Sequence, residues 1–177
     1  ASGISITAIK PTGIIRAAQT LTQMAEGWDG QAYLEAVSIK DWPAFKLRGY
    51  MHDVGRSFIS ADELVKQVEK FSRFKVNTFH WHMTENQAWR FEVKAYSQLT
   101  SSESMTRFPG QYYTQEDCKK VLAAAKKHGM LVIPEIDMPG HSAAFERAMG
   151  FGMQTEEGKA GQPQGQPVHS SAHLRQP

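Results

Sequence analysis

Cysteine is almost absent. One residue of 177, Cys118, carries a thiol, which excludes an intrachain disulfide and makes a Cys-based metal cluster a poor expectation. In a helix-forming run such a residue is expected to be a buried or idle small hydrophobe. No run approaches the roughly 18 apolar residues of a membrane-crossing helix, so no membrane span is expected. An excess of one charge is missing as well: 20 Lys and Arg against 18 Asp and Glu leave a formal charge of +2. The charges are dispersed, and no nucleic-acid or membrane surface is expected from electrostatics. No repeat of solenoid period is visible. What is present is globular material, 41% hydrophobic and 21% charged, in a chain long enough for one good core.

The first forty residues have few elements. "GISITA" alternates Ile4 and Ile6 as a half-buried strand does, and Ile14, Ala17, Ala18, Leu21 and Ala25 fall at helical spacing after Pro11 and Gly13. A turn-rich crossing follows, with one short strand expected over 34–39. One helix and short strands cannot bury their own apolar faces, so this stretch is expected to be the end of a larger α+β domain.

From Leu47 the pattern becomes strand, helix, strand, helix, strand. "LRGYMHDV" reads as a strand; Ser60 and Glu63 predict a capping box opening a helix with Leu64, Val68 and Phe71 on one face. "VNTFHWHM", over 76–83, reads as the second strand. Thr114 and Asp117 predict a second box, opening a helix that carries Val121, Leu122 and Ala125 and ends at Gly129. "MLVIPEI" is the third strand. Strands alternating with single amphipathic helices imply parallel pairing, hence a doubly wound sheet or a (β/α)-barrel. After residue 158, "KAGQPQGQPVHSSAHLRQP" has no apolar period, and 159–177 is expected to be a disordered low-complexity tail.

Three sets of polar residues lie at the C-terminal ends of the three strands: Asp53 with Arg56; His80, His82, Glu85 and Asn86; and Glu135, Asp137 and His141. In α/β barrels the βα loops converge on that face, and active sites are built there. Arg56 suits a bidentate grip on hydroxyls or a carboxylate. His80 and His82 share one face of their strand, with Trp81 on the other. Such a pair could bind zinc with further ligands, as in metal-dependent amidohydrolases, or could be hydrogen-bonded inside a barrel mouth. Trp81 and Trp89 suit core packing and sugar stacking equally.

"RGYMHDVGRSF", "KVNTFHWHMTENQAWRFEV", "YYTQEDCKKVLAAAKKHGMLVIPEIDMPGH" and the approach "SIKDWPAFKLRG" resemble, in order and spacing, glycoside hydrolase family 20, the β-N-acetylhexosaminidases. The resemblance runs from about residue 4 to about residue 149. It implies an α/β fold in which 1–43 ends the preceding α+β domain and 44–158 supplies the first three βα units of a (β/α)8 TIM barrel. It also implies an exo-acting glycosidase that removes terminal β-linked GlcNAc or GalNAc from a glycan or chitooligosaccharide, with no cofactor and no metal. The compartment it implies is extracellular, periplasmic or lysosomal.

By the same resemblance Arg56 holds sugar hydroxyls, while Glu85, Asp137 and His141 form the polar network behind the acid. Glu85 stands where the family more often has aspartate, Asn86 replaces a second acid, and Ser57 stands where histidine is common. The family's substrate-assisted chemistry uses an aspartate that orients the acetamido group and a following glutamate that protonates the leaving oxygen. No Asp-Glu dipeptide preceded by glycines follows His141, so the chain alone is expected to be an inactive N-terminal fragment. A non-catalytic carbohydrate-binding remnant and a metal-dependent barrel hydrolase are the alternatives.

Overall fold

The computed structural model describes residues 3–150. Helix α1, Pro11–Met24, opens with proline in its first turn and presents no fully buried residue. Proline suits that position because its missing N–H would have had no partner there. Strands β1, Glu26–Trp28, and β2, Gln31–Tyr33, pair antiparallel through Asp29 and Gly30. Both turn residues have positive φ, 51° and 74°, as a tight two-residue hairpin demands.

Two expected strands do not form. Residues 3–8 and 34–40 are irregular, and Ile4, Ile6, Leu34, Val37 and Ile39 are between 37% and 63% exposed. A strand is held by ladder bonds to a neighbour, and no such partner occurs among the described residues. Both segments instead run beside α1 and line a cavity of about 730 Å³ with it. The tail expected over 159–177 lies outside the described residues.

The rest is three β/α repeats around one core. Strands β3, Gly49–Asp53, β4, Thr78–His82, and β5, Leu131–Glu135, form a parallel sheet in the order β3-β4-β5. Helix α2, Ala61–Arg73, joins β3 to β4, and α3, Gln115–Lys127, joins β4 to β5. The Thr114–Asp117 capping box is complete. In α2 only half forms: Ser60 Oγ accepts from the Glu63 amide, while the Glu63 carboxylate pairs with Lys66 Nζ at 2.6 Å. A salt bridge one turn ahead competes for the same carboxylate.

Burial follows the strand alternation. Phe79 and Trp81 of β4 face the helices and pack with Val54, Leu64, Val68, Tyr113, Val121 and Ala125. Each such side chain contributes roughly 1.5–3 kcal/mol on leaving water. Cys118 is half-buried against this cluster, and burial pushes its thiol up to about 11. The opposite face carries His80 flanked in register by Met51 and Ile133. The last rung of that face is Asp53, His82 and Glu135, so sheet register alone places three ionisable side chains side by side.

Candidate active site

The cluster grows from the loops that follow these three strand ends. Asp53 closes β3 and folds back on the next turn, its Oδ1 accepting from the Arg56 amide at 2.9 Å and its Oδ2 from Arg56 Nη1 at 2.6 Å. Arg56 Nη2 pairs with Glu85 Oε1. The hydrogen bond to Asp53 is the largest influence on the guanidinium; with the charges of Glu85 and Asp53 it raises the pKa above the ordinary value despite partial desolvation. Nε–H and the second N–H of Nη1 lie outside these pairs, on a side chain that is half-exposed.

Glu85 is the hub. Its buried carboxylate meets Arg56 Nη2 and His141 Nδ1, lies 3.9 Å from His82 Nε2, and accepts from the Asn86 amide at 2.5 Å. Gly55 makes the meeting possible: a Cβ there would come within 2.6 Å of Glu85 Cβ. His141 reaches the hub from a backbone with φ 54°, in a turn closed by Ser142 Oγ donating to the Pro139 carbonyl at 2.7 Å. Asn86 Oδ1 accepts from the Ala143 amide at 3.3 Å, at the start of helix α4, Ala143–Met149. Asparagine keeps there the acceptor an aspartate would offer.

A second centre lies beside the first. His80 Nε2 and His82 Nδ1 both approach Oε2 of Glu135, at 2.5 and 2.9 Å. Burial pushes the Glu135 carboxyl up, but hydrogen bonds from His82 and Asp137 and the histidine charges outweigh it and hold the pKa below the ordinary value. Burial, then the hydrogen bond and charge of Glu135, push Asp137 up. Of the two, Asp137 is therefore the first to take up a proton as the pH falls, and Glu135 keeps its negative charge to lower pH. The amide of Asp137 is tied to buried Thr84 Oγ1 at 3.0 Å.

The two histidines considered as a zinc pair thus converge on one carboxylate. The grouping with ligand atoms within 4.8 Å of one another is His82, Glu135 and Asp137, without His80. Both tryptophans are core residues. Trp81 stacks on Phe79 and meets Tyr113 edge-on, and Trp89 stacks on Phe91 while its Nε1 donates to the Phe91 carbonyl at 2.9 Å. Neither offers an open ring to a sugar. The structure brings Arg56, Glu85 and His141 into contact, with Asp137 in the adjoining pair.

Sequence reasoning missed Arg90. It is fully buried yet donates to the carbonyls of Val54, Gly55, Arg107, Phe108 and Gln111 at 2.8–3.1 Å. Burial pushes its pKa down to about 10, so it remains charged at neutral pH. The available signal was a cation in the aromatic run "WRF" just past a buried strand.

Parallel β/α units with carboxylates, histidines and an arginine gathered at the strand C-termini define an α/β protein with its polar cluster on the face where such folds bind ligands. Residues 45–174 match the family described as glycosyl hydrolase family 20, catalytic domain, and the chain belongs to that family. A beta-hexosaminidase of Porphyromonas gingivalis is 41% identical over 155 residues, covering 80% of this chain and 20% of that protein. Beta-hexosaminidase 1 of Coccidioides posadasii is 40% identical over 142 residues, covering 80% and 23%. The chain thus spans a fifth to a quarter of the length of these relatives. Among solved structures, the beta-N-acetylhexosaminidase of Bacteroides fragilis superposes with a TM-score of 0.75 at 36% identity, over 81% of this chain and 30% of that one. The exo beta-N-acetylglucosaminidase of Vibrio harveyi in complex with N-acetylglucosamine gives 0.73 at 34%, over 78% and 24%. Together these make the fold a portion of a TIM barrel.

Proposed function

We propose that Arg56, Glu85, Asp137 and His141 are the sugar-binding and acid-supporting part of an exo-acting β-N-acetylhexosaminidase site. That site would cleave terminal β-linked GlcNAc or GalNAc from glycans or chitooligosaccharides with retention. The observation carrying this reading is the half-exposed Arg56, aimed by Asp53 and the buried Glu85 and keeping N–H groups outside those pairs. A planar cation held on two sides presents its remaining donors in a fixed fork, which suits paired ring hydroxyls. His141 and Glu85 then form a polar relay behind the reacting bond, able to tune a proton donor through hydrogen bonding and charge.

The substrate's acetamido oxygen would attack the anomeric carbon, with the orienting aspartate and the acidic glutamate supplied from outside the described residues. The same reading divides the chain near residue 44, with 1–43 belonging to a preceding domain. The test is hydrolysis of a chromogenic N-acetylglucosaminide by the full-length gene product, with the anomer of the first-formed sugar read by NMR. Release of β-GlcNAc, inhibited by free N-acetylglucosamine and lost in Arg56→Ala, supports the proposal. Absence of turnover, or an Arg56→Ala variant of wild-type efficiency, overturns it. For the chain by itself, sugar binding without turnover is the second reading, favoured by the lack of an Asp-Glu pair after His141.

A further inference from the structure

The geometry points to Arg90 as the positioning residue for the sugar-binding arginine: it fixes Gly55, and through Gly55 the meeting of Arg56 with Glu85. Five of its hydrogen bonds end on main-chain carbonyls. Nε and Nη2 hold Val54 at 2.9 Å and Gly55 at 3.1 Å, the two residues that separate β3 from Arg56. Nη1 and Nη2 hold Arg107, Phe108 and Gln111, at 2.8, 3.0 and 2.8 Å, in the long connection from β4 to α3. One guanidinium therefore ties the loop after β3 to the loop before α3. The second loop is shaped to receive it: Phe108 and Gly110 have φ of 47° and 71°, which turns its carbonyls inward. The Phe58 and Phe108 rings flank the cation at 5.6 and 5.9 Å.

The consequence for the site follows from close packing. Gly55 leaves no room for a Cβ against Glu85, so any drift of the Gly55 carbonyl away from Arg90 moves that backbone relative to Glu85. Arg56 is the next residue. Its paired nitrogens must meet Asp53 and Glu85 together, and a shift of a few tenths of an ångström at Gly55 breaks one pair or the other. Charge balance alone does not explain a cation here, since no hydrogen bond of Arg90 among the described residues ends on a carboxylate. What those bonds require is a rigid planar fork of five donors, which lysine cannot reproduce.

The activity arm of the test rests on the proposed function. Arg90→Lys and Arg90→Gln are placed in the full-length gene product, alone and combined with Arg56→Ala, and assayed on an aryl N-acetylglucosaminide. The expected result is a KM about tenfold higher with a cooperative melting transition retained, and no further loss when either change is added to Arg56→Ala. A merely structural role would give the same loss in both backgrounds. Crystal structures of the two variants supply a readout that needs no activity: Arg56 displaced from Glu85 supports the role. An Arg56–Glu85 pair unmoved, a loss of activity that persists in the Arg56→Ala background, or collapse of both variants to non-cooperative melting overturns it. A wild-type protein without turnover would defeat the functional reading, while the crystallographic comparison would still decide the role of Arg90.

Discussion

Arg56 and Glu85 meet from opposite ends of the solvent scale: the arginine side chain is 45% exposed and the glutamate side chain that holds it is 0% exposed. The pair is therefore asymmetric. Removing Glu85 leaves a half-exposed cation still paired with Asp53, whereas removing Arg56 takes the guanidinium from a buried carboxylate that keeps only His141 and the Asn86 amide. Arg56→Ala is expected to lower stability by about 1–3 kcal/mol, more than Glu85→Gln does. The double variant should recover part of the loss. Thermal unfolding of the three proteins checks this, and a larger loss in Glu85→Gln would contradict it.

The Glu135–Asp137 pair gives a pH signature. Glu135 titrates below its ordinary value in the fold, so its contribution is present above that value and fades as the pH falls through the folded pKa. Asp137 is raised, so its contribution is full below the ordinary aspartate range and lost as the pH rises through the folded pKa. Asp137→Asn keeps a neutral side chain at every pH. Its melting temperature should exceed that of the wild type at pH 7, with the difference shrinking toward pH 4. A difference of constant size across that range would show that Asp137 does not titrate as described.

His141 sits on Glu85 through Nδ1 but leaves nearly half of its side chain in solvent. On the proposed function its removal should therefore disturb the chemistry more than the fold. In the full-length gene product, His141→Ala is expected to move the acidic or basic limb of the pH–rate profile, with stability changed by no more than about 1 kcal/mol. An unchanged profile and rate would reduce His141 to a turn residue.

Much of this was legible in the chain because two kinds of signal are local. The period of Leu64, Val68 and Phe71 and the Thr114–Asp117 box fix helices without any partner. Position at the strands' C-terminal ends marked Arg56, Glu85, Asp137 and His141 together with Asp53, His80, His82, Asn86 and Glu135, and only the resemblance to the family separated those four from the rest. What stayed hidden depends on distant contacts. The alternation of Ile4 and Ile6 resembles a strand, but no ladder partner is described for it. The convergence of His80 and His82 on Glu135 depends on the register of β4 against β5. Arg90 is bound to carbonyls up to 36 residues away, and no local pattern marks a side chain whose partners, Met105 Sδ apart, are backbone.

The same geometry predicts that Trp81 and Trp89 matter to the fold alone. Trp81 lies between Phe79 and Tyr113, and Trp89 stacks on Phe91. Trp81→Ala should cost about 3–5 kcal/mol of stability. Trp89→Phe, which keeps the ring contact and loses the bond to the Phe91 carbonyl, should cost about 1 kcal/mol. KM for an aryl N-acetylglucosaminide should be unaltered in Trp89→Phe of the full-length gene product; a severalfold rise would restore a sugar contact.

The purified 177-residue chain should behave unlike the full-length product in both chemistry and association. The sheet face opposite the helices leaves Met51, Leu131 and Ile133 at 56%, 61% and 39% exposure, and β3 and β5 each have one neighbour among the described residues. Parallel strands normally have both faces covered, and an open edge with apolar side chains recruits other chains. The expected behaviour is concentration-dependent association and strong binding of a hydrophobic dye. On the proposed function, no hydrolysis of a chromogenic N-acetylglucosaminide should be seen from these 177 residues, because no Asp-Glu pair follows His141 among them. Light scattering, dye fluorescence and a turnover assay on one preparation separate the two claims. A monomer that binds no dye contradicts the structural claim, and hydrolysis above a buffer control contradicts the chemical one.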